Sequence, residues 1–115
     1  MVVDQVSDRE IDRLFHALAD STRRDILVRA IEQEQSVSAL ASHYEMSFAA
    51  VQKHVAVLER AALVVKERNG RQQIVHSNTD TLRKAAALLD EFEQLWIQRT
   101  TRIADLLVGA KGDPK

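Results

Sequence analysis

The chain has 115 residues, a formal net charge of −1, 45% hydrophobic and 29% charged residues, 3 Gly, 1 Pro and no Cys. That length holds one domain, or one domain with an oligomerising extension, and the balance is that of a globular protein. The missing cysteines exclude disulfides, thiolate metal sites and cysteine nucleophiles; no stretch nears the ~18 apolar residues of a membrane span, and the acidic MVVDQVSDREID opening is no secretory signal, so a cytoplasmic protein is expected.

The first helix is predicted over 8–18, where Ile11, Leu14, Phe15 and Leu18 recur at helical spacing behind an acidic first turn. Asp20 or Ser21 has the chemistry to cap a second helix that turns Ile26, Leu27, Ala30 and Ile31 inward. Ser36 caps a third, SVSALASHY, buried through Val37, Leu40 and Ala41. After a break at Glu45-Met46, Ser47 caps a fourth helix that runs to about Ala61 with Val51, Val55 and Leu58 on its inner face. Two strands follow, 63–67 and 71–76. Asn69-Gly70 lies between them as a tight hairpin turn, because both residues tolerate positive φ. A last helix over 80–108 carries an apolar stripe that includes Leu82, Ala85, Leu88, Leu89, Phe92, Leu95, Trp96, Ile103, Leu106 and Leu107. The Gly- and Pro-containing tail, 109–115, is expected to fray.

Charge is unevenly spread along these elements. Between Ser47 and His76 five bases (Lys53, Arg60, Lys66, Arg68, Arg71) face two acids (Glu59, Glu67), a local +3, whereas residues 1–35 hold eight acids and five bases, a local −3. A basic stripe on an acidic body can bind phosphates and keep the free protein dispersed. The fold expected is mainly α with a small β-hairpin wing. It is a single winged helix-turn-helix domain over 1–115: helix-turn-helix at 36–61, wing at 63–76 and a dimerisation helix at 80–108. In such a domain the second helix of the pair enters the major groove of DNA.

The order of elements resembles the ArsR/SmtB family of small bacterial winged-helix regulators. One match is Phe15-His16-Ala17-Leu18-Ala19-Asp20-Ser21-Thr22-Arg23-Arg24; the other runs from Ser36 through Val64, and with the wing the likeness covers about residues 11–78. There are departures. Ala62 stands where the family usually has Gly, and Phe48-Ala49-Ala50 opens the reading helix where many members have small or polar residues. Ala39-Leu40-Ala41-Ser42-His43 replaces the family's cysteine metal motif, and the last helix lacks the paired Asp/His zinc ligands of some members. The resemblance therefore implies the branch without that metal switch, with no metal and no cofactor, dimerising through the first and last helices.

Ser47, Phe48, Ala49, Gln52 and Lys53 occupy the first two turns of the reading helix. Gln52 suits adenine N6/N7, Lys53 suits guanine O6/N7 or a phosphate, and Phe48 or Ala49 suits a thymine methyl. His54 can bind phosphate or hydrogen-bond within the motif. Ser38 can hold a phosphate or serve only as a cap residue. Arg68, Asn69, Arg71 and Gln72 form a wing tip that can reach the backbone or a narrow minor groove, or can be plain solvated hairpin. Arg23 and Arg24 are adjacent and on different faces; one can reach a DNA phosphate while the other pairs with a carboxylate such as Asp20, and structural pairing for both is the reading preferred. Ile11, Leu14, Phe15, Leu88, Phe92, Leu95, Trp96 and Ile103 are the candidate dimer interface, with packing onto the chain's own core as the alternative for part of them. His16, His43, His54 and His76 show no ligand spacing, and no catalytic constellation stands out, so an enzyme is not expected.

The function expected is that of a homodimeric, sequence-specific transcriptional regulator, a repressor at a palindromic operator of double-stranded DNA, with no membrane partner. The alternatives are a member answering to a metal or an unknown small-molecule effector, and a winged-helix protein-interaction module that binds no DNA.

Overall fold

The computed structural model describes residues 7–110, apart from the side chain of residue 110; the start of the expected N-terminal opening and residues 111–115 of the expected tail lie outside the described residues. Element α1 spans Asp8–Leu18 and α2 Ser21–Glu32; β1 is Gln35–Ser36, α3 Val37–Ala41 and α4 Phe48–Arg60. Strands β2 (Val64–Asn69) and β3 (Gln72–Ser77) form the wing, and α5 is Thr79–Ala110.

Each helix start has a side-chain acceptor for its orphan N–H groups. Ser7 and Glu10 make a reciprocal capping box on α1, at 3.1 and 2.9 Å. Asp20, rather than Ser21, caps α2 by accepting from the Arg23 N–H at 3.0 Å. Ser36 and Ser47 accept from the Ala39 and Ala50 N–H groups, each at 3.0 Å, at the heads of α3 and α4. The third helix is shorter than predicted. It stops at Ala41, and residues 42–46 form a turn whose first bonds, from the His43 N–H to the Leu40 carbonyl and the Tyr44 N–H to the Ala41 carbonyl, reach back only three residues.

The core gathers Ile26, Leu27 and Ala30 of α2, Val37 and Leu40 of α3, Val51, Val55 and Leu58 of α4, then Leu63, Val64 and Val75. Ile31 was expected among them and is instead 51% exposed, as is its neighbour Val28 at 49%. With Ile26, Leu27 and Ala30 fixing the inward face, position 28 falls on the opposite side of a 3.6-residue helix and position 31 on the flank, roughly 90° from the centre of that face.

The sheet has three strands in the order β1-β3-β2, both pairs antiparallel. Sequence had suggested only the two wing strands. The two-residue β1 pairs Gln35 with Val75 and Ser36 with Ile74, so the wing is tied to the segment that caps α3. The wing strands are shifted relative to expectation. Asn69 pairs with Gln72, which makes Gly70-Arg71 the two central residues of the turn. Gly70 has φ +65°, while Asn69 and Arg71 are not at positive φ. This is the pattern in which Gly takes the first central position of a hairpin turn, so the turn sits one residue further along than an Asn-Gly turn would.

α5 also extends two residues beyond the predicted Val108. From Lys84 onward it forms a compact unit of its own. Leu89, Phe92, Leu95, Trp96, Ile103, Leu106 and Leu107 along it are all exposed. No helix among the described residues is long and apolar enough to cross a membrane.

The turn before α4 is fastened to α2. Tyr44 Oη donates to Asp25 Oδ2 at 2.5 Å, Arg29 Nε donates to the same oxygen at 2.9 Å, and the guanidinium lies 5.8 Å from the Tyr44 ring centroid. The Tyr44 hydroxyl and then Arg29 hold the Asp25 carboxyl below its usual range. Partial burial, followed by the hydrogen bond to Asp25, pushes the Tyr44 phenol up to about 12. A raised phenol means that its stabilisation is complete below the unfolded value near 10 and is lost as pH climbs towards 12. A spectroscopic titration of the chain's single tyrosine should place phenolate formation well above 10. Tyr44→Phe should cost about 1 kcal/mol at neutral pH and remove that alkaline loss.

α4 ends in a Schellman motif. The Ala62 N–H donates to the Glu59 carbonyl and the Leu63 N–H to the Leu58 carbonyl, each at 2.9 Å, with Ala62 at φ +61°. A left-handed Ala costs ~1–2 kcal/mol, against ~0.5–1 kcal/mol for the extra unfolded-state freedom of Gly. Ala62→Gly should therefore raise the unfolding free energy by about 0.5–1 kcal/mol, seen as a higher denaturation midpoint at unchanged m-value. A lowered midpoint would show that strain at Ala62 is negligible.

Candidate nucleic-acid interface

Burial alternates along α4 so as to leave one polar face. Val51, Val55 and Leu58 are fully buried, at i, i+4 and i+7. Phe48, Ala49, Gln52 and Lys53 then share the solvent side, with Phe48 46% exposed although it is a large apolar residue at the helix head. An aromatic ring held in water there is available to apolar atoms of a partner.

Facing this helix head is the wing. Ser38, Phe48, Gln52, Arg68, Arg71 and Gln72 line one cleft of about 240 Å³, together with Ser36, Val37 and Gln73, which sequence reasoning did not pick out. Ser36 and Gln73 belong to the β1–β3 part of the sheet, so the unpredicted strand hid them; the polar run Gln72-Gln73 was the available signal. Arg68 is steadied by donating from Nε to the Gly70 carbonyl at 3.1 Å, and Arg71 extends from the turn itself. The cleft thus sets two cations opposite an aromatic, an amide and a hydroxyl, a set suited to a polyanion bearing flat, hydrogen-bonding edges.

Other expected residues lie outside that cleft. Lys53 and Ala49 are exposed on α4, and Asn69 is on the wing. Ser47 has its hydroxyl oxygen engaged as the cap of α4, with its O–H still able to donate. Lys66, counted in the basic stripe, pairs with Glu59 at 3.4 Å. His54 is turned towards its own fold. Its Nδ1 lies 3.4 Å from Arg23 Nη1 and 4.0 Å from Asp20 Oδ2. The contact it makes is with α2, outside the helix-turn-helix within which a bond was expected.

Among the described residues, the side chains of Arg23 and Arg24 pair with backbone carbonyls rather than with a carboxylate. Arg23 donates from Nε to the Ala17 carbonyl at 2.8 Å and from Nη2 to the His16 carbonyl at 2.9 Å, and Arg24 donates to the Leu18 carbonyl at 2.7 Å. Both satisfy the last carbonyls of α1, where a cation also meets the negative end of the helix dipole. Asp20 receives the Arg23 backbone N–H instead, and that bond, reinforced by the nearby Arg23 charge, holds its carboxyl below the usual range.

The expected interface residues differ in availability. Leu14 is 5% exposed and buried within the chain, so it has little surface to offer a second copy. Ile11, Phe15 and Leu88 are half-buried; Phe92, Leu95, Trp96 and Ile103 are exposed, Trp96 at 66%. His16, His43 and His76 sit on α1, the turn and β3. His76 lies between Glu34, at 2.9 Å from Nδ1, and Glu67, at 2.8 Å from Nε2, the latter off the axis of an N–H···O bond. Among the described residues no three His, Asp or Glu side chains are grouped to hold a metal.

No family model matches the chain. The HTH-type transcriptional regulator Rv2034 of Mycobacterium tuberculosis is 33% identical to it over 105 residues, spanning 91% of this chain and 94% of that protein. An ArsR-like transcriptional regulator from Rhodococcus sp. RHA1 has a similar structure, with a TM-score of 0.76 and 31% identity over 85% of this chain and 92% of that one. The homodimeric winged helix-turn-helix DNA-binding domain of Mb0332 from Mycobacterium bovis matches with a TM-score of 0.61 and 25% identity, over 81% of this chain and 92% of that one.

Proposed function

The chain belongs to the ArsR family of transcriptional regulators, and we propose that it acts as a homodimeric, cytoplasmic repressor that reads a palindromic operator with α4 and grips the flanking backbone or minor groove with its wing. The observation that carries this reading is the pinned α4. Its buried face leaves Phe48, Ala49, Gln52 and Lys53 outward, beside a cleft that also holds Arg68 and Arg71. Gln52 matches adenine N6/N7, Lys53 matches guanine O6/N7 or a phosphate, and Phe48 matches a thymine methyl.

Pairing follows from the apolar surface. An α5 stripe with Phe92, Leu95, Trp96 and Ile103 in water is costly in a lone chain, and a second copy covers it best. Two-fold symmetry then sets two reading helices about 34 Å apart, one turn of DNA, and doubles the phosphate contacts. The solved domain of Mb0332, which is similar in structure, is a homodimeric winged helix-turn-helix, and that supports the pairing.

The DNA assignment is tested with duplexes enriched by the protein from a random pool. Affinity should fall steeply with salt, by a slope of about 0.9 per phosphate contact. Lys53→Ala with Arg71→Ala should weaken binding at least about tenfold and flatten that slope, with thermal stability unchanged because both side chains are exposed. A double mutant that binds like the parent would remove these residues from the interface.

For pairing, Trp96→Ala should raise the dimer dissociation constant by roughly 30-fold or more, the effect of a ~2 kcal/mol hot-spot residue. Sedimentation should show the shift towards monomer. An unchanged dimer would take Trp96 out of the interface.

A further inference from the structure

The Arg23 guanidinium uses all three of its nitrogens, and they reach two different helices. Nε and Nη2 hold the Ala17 and His16 carbonyls at the end of α1, and Nη1 approaches His54 Nδ1 on α4 at 3.4 Å. Its own backbone N–H is fixed by the α2 cap Asp20, whose Oδ2 stands 4.0 Å from the same His54 nitrogen. His54 directly follows the exposed Gln52 and Lys53 and precedes the fully buried Val55.

We propose that Arg23 is a positioning residue that sets the angle between the first helix, at the dimer axis, and the reading helix, and so sets the operator spacing the dimer accepts. This rests on the reading above that α1 lies in the dimer interface and α4 enters DNA. Helix capping alone does not account for the contact, because Arg24 already serves the end of α1 through the Leu18 carbonyl, whereas Arg23 also bonds to His54 on α4. Arg23 joins the two helices through one planar group. Lys, with a single nitrogen on a flexible stem, cannot span three acceptors in fixed geometry. With Arg23 as donor, His54 Nδ1 is the acceptor and the ring proton is on Nε2.

The lever is long enough to matter. A tilt of about 5° acting over roughly 17 Å, half the ~34 Å between reading helices, displaces each one by about 1.5 Å. Base-edge hydrogen bonds tolerate only a few tenths of an ångström. A dimer with a loose α1–α4 angle therefore loses simultaneous engagement of both half-sites more than it loses either half-site alone.

The test uses a duplex enriched by the wild-type protein from a random pool, its isolated half-site, and versions with one base pair added or removed between half-sites, a shift of about 3.4 Å that matches the summed displacement of the two reading helices. Arg23→Lys and Arg23→Gln should bind the half-site within about twofold of wild type. They should bind the full operator at least tenfold more weakly, and should discriminate poorly between the spacings. Equal loss on operator and half-site would make Arg23 merely structural, and wild-type behaviour on every duplex would give it no role; either result overturns the proposal. If the Arg23 variants do not fold, the His54 pair decides. His54→Asn, which keeps an acceptor near the Nδ1 position, should retain the spacing preference that His54→Leu loses, and identical behaviour overturns the coupling. If the wild-type protein enriches no duplex, the DNA-binding reading itself fails and the positioning role falls with it.

Discussion

The burial of Val51, Val55 and Leu58 on one side of α4 is the constraint on which the remaining structure depends. Burying three such side chains contributes on the order of 1.5–3 kcal/mol each, comparable in sum with the whole net stability of a small domain. The helix cannot roll without unfolding the core. Its opposite face, Phe48, Ala49, Gln52 and Lys53, is thereby held out with the same firmness. A helix that presents the same four side chains every time loses little further freedom on binding.

The surrounding devices fix the two ends of that helix. Ser47 caps its start, and the Tyr44–Asp25–Arg29 cluster ties the preceding turn to α2. The Schellman bonds at Ala62 and Leu63 close its end and send the chain directly into β2. β1 then fastens the far wing strand beside the head of α3, which keeps Arg68 and Arg71 near the face they share with Gln52. Local caps, a short strand and a packed helix face together form one rigid frame, and the cations at its edge supply the attraction for a polyanion.

Much of this was legible in the sequence because it rests on periodicity and local chemistry. The 51-55-58 spacing, the Ser and Asp caps and the Asn69-Gly70 turn signal each concern neighbours in the chain. What was missed depends on partners distant in sequence or on competing local rules. A two-residue strand has no pattern of its own, so β1 appeared only through its pairing with Ile74 and Val75. The hairpin turn slid one residue because the Asn69–Gln72 pair leaves Gly70 as the only left-handed turn residue. Ile31 read as core from its type, but the helix had already committed its inward face to Ile26, Leu27 and Ala30. Arg23 and Arg24, three and four residues past the Asp20 cap that follows α1, are well placed to reach back to that helix's last carbonyls, and a reading based on charge alone looked for a carboxylate or a phosphate instead. At the candidate site the α4 residues could be named individually, whereas the cleft joining them to the wing is a product of the three-stranded sheet.

Methylation-protection footprinting of a duplex enriched by the protein tests the central claim most directly, since it reports which groove the pinned helix enters. The account predicts protection of guanine N7 atoms in two major-groove patches about 34 Å apart on one side of the duplex, flanked by adenine N3 protection where the wings enter the minor groove. Binding that leaves every N7 reactive, or that protects a single patch, would contradict it.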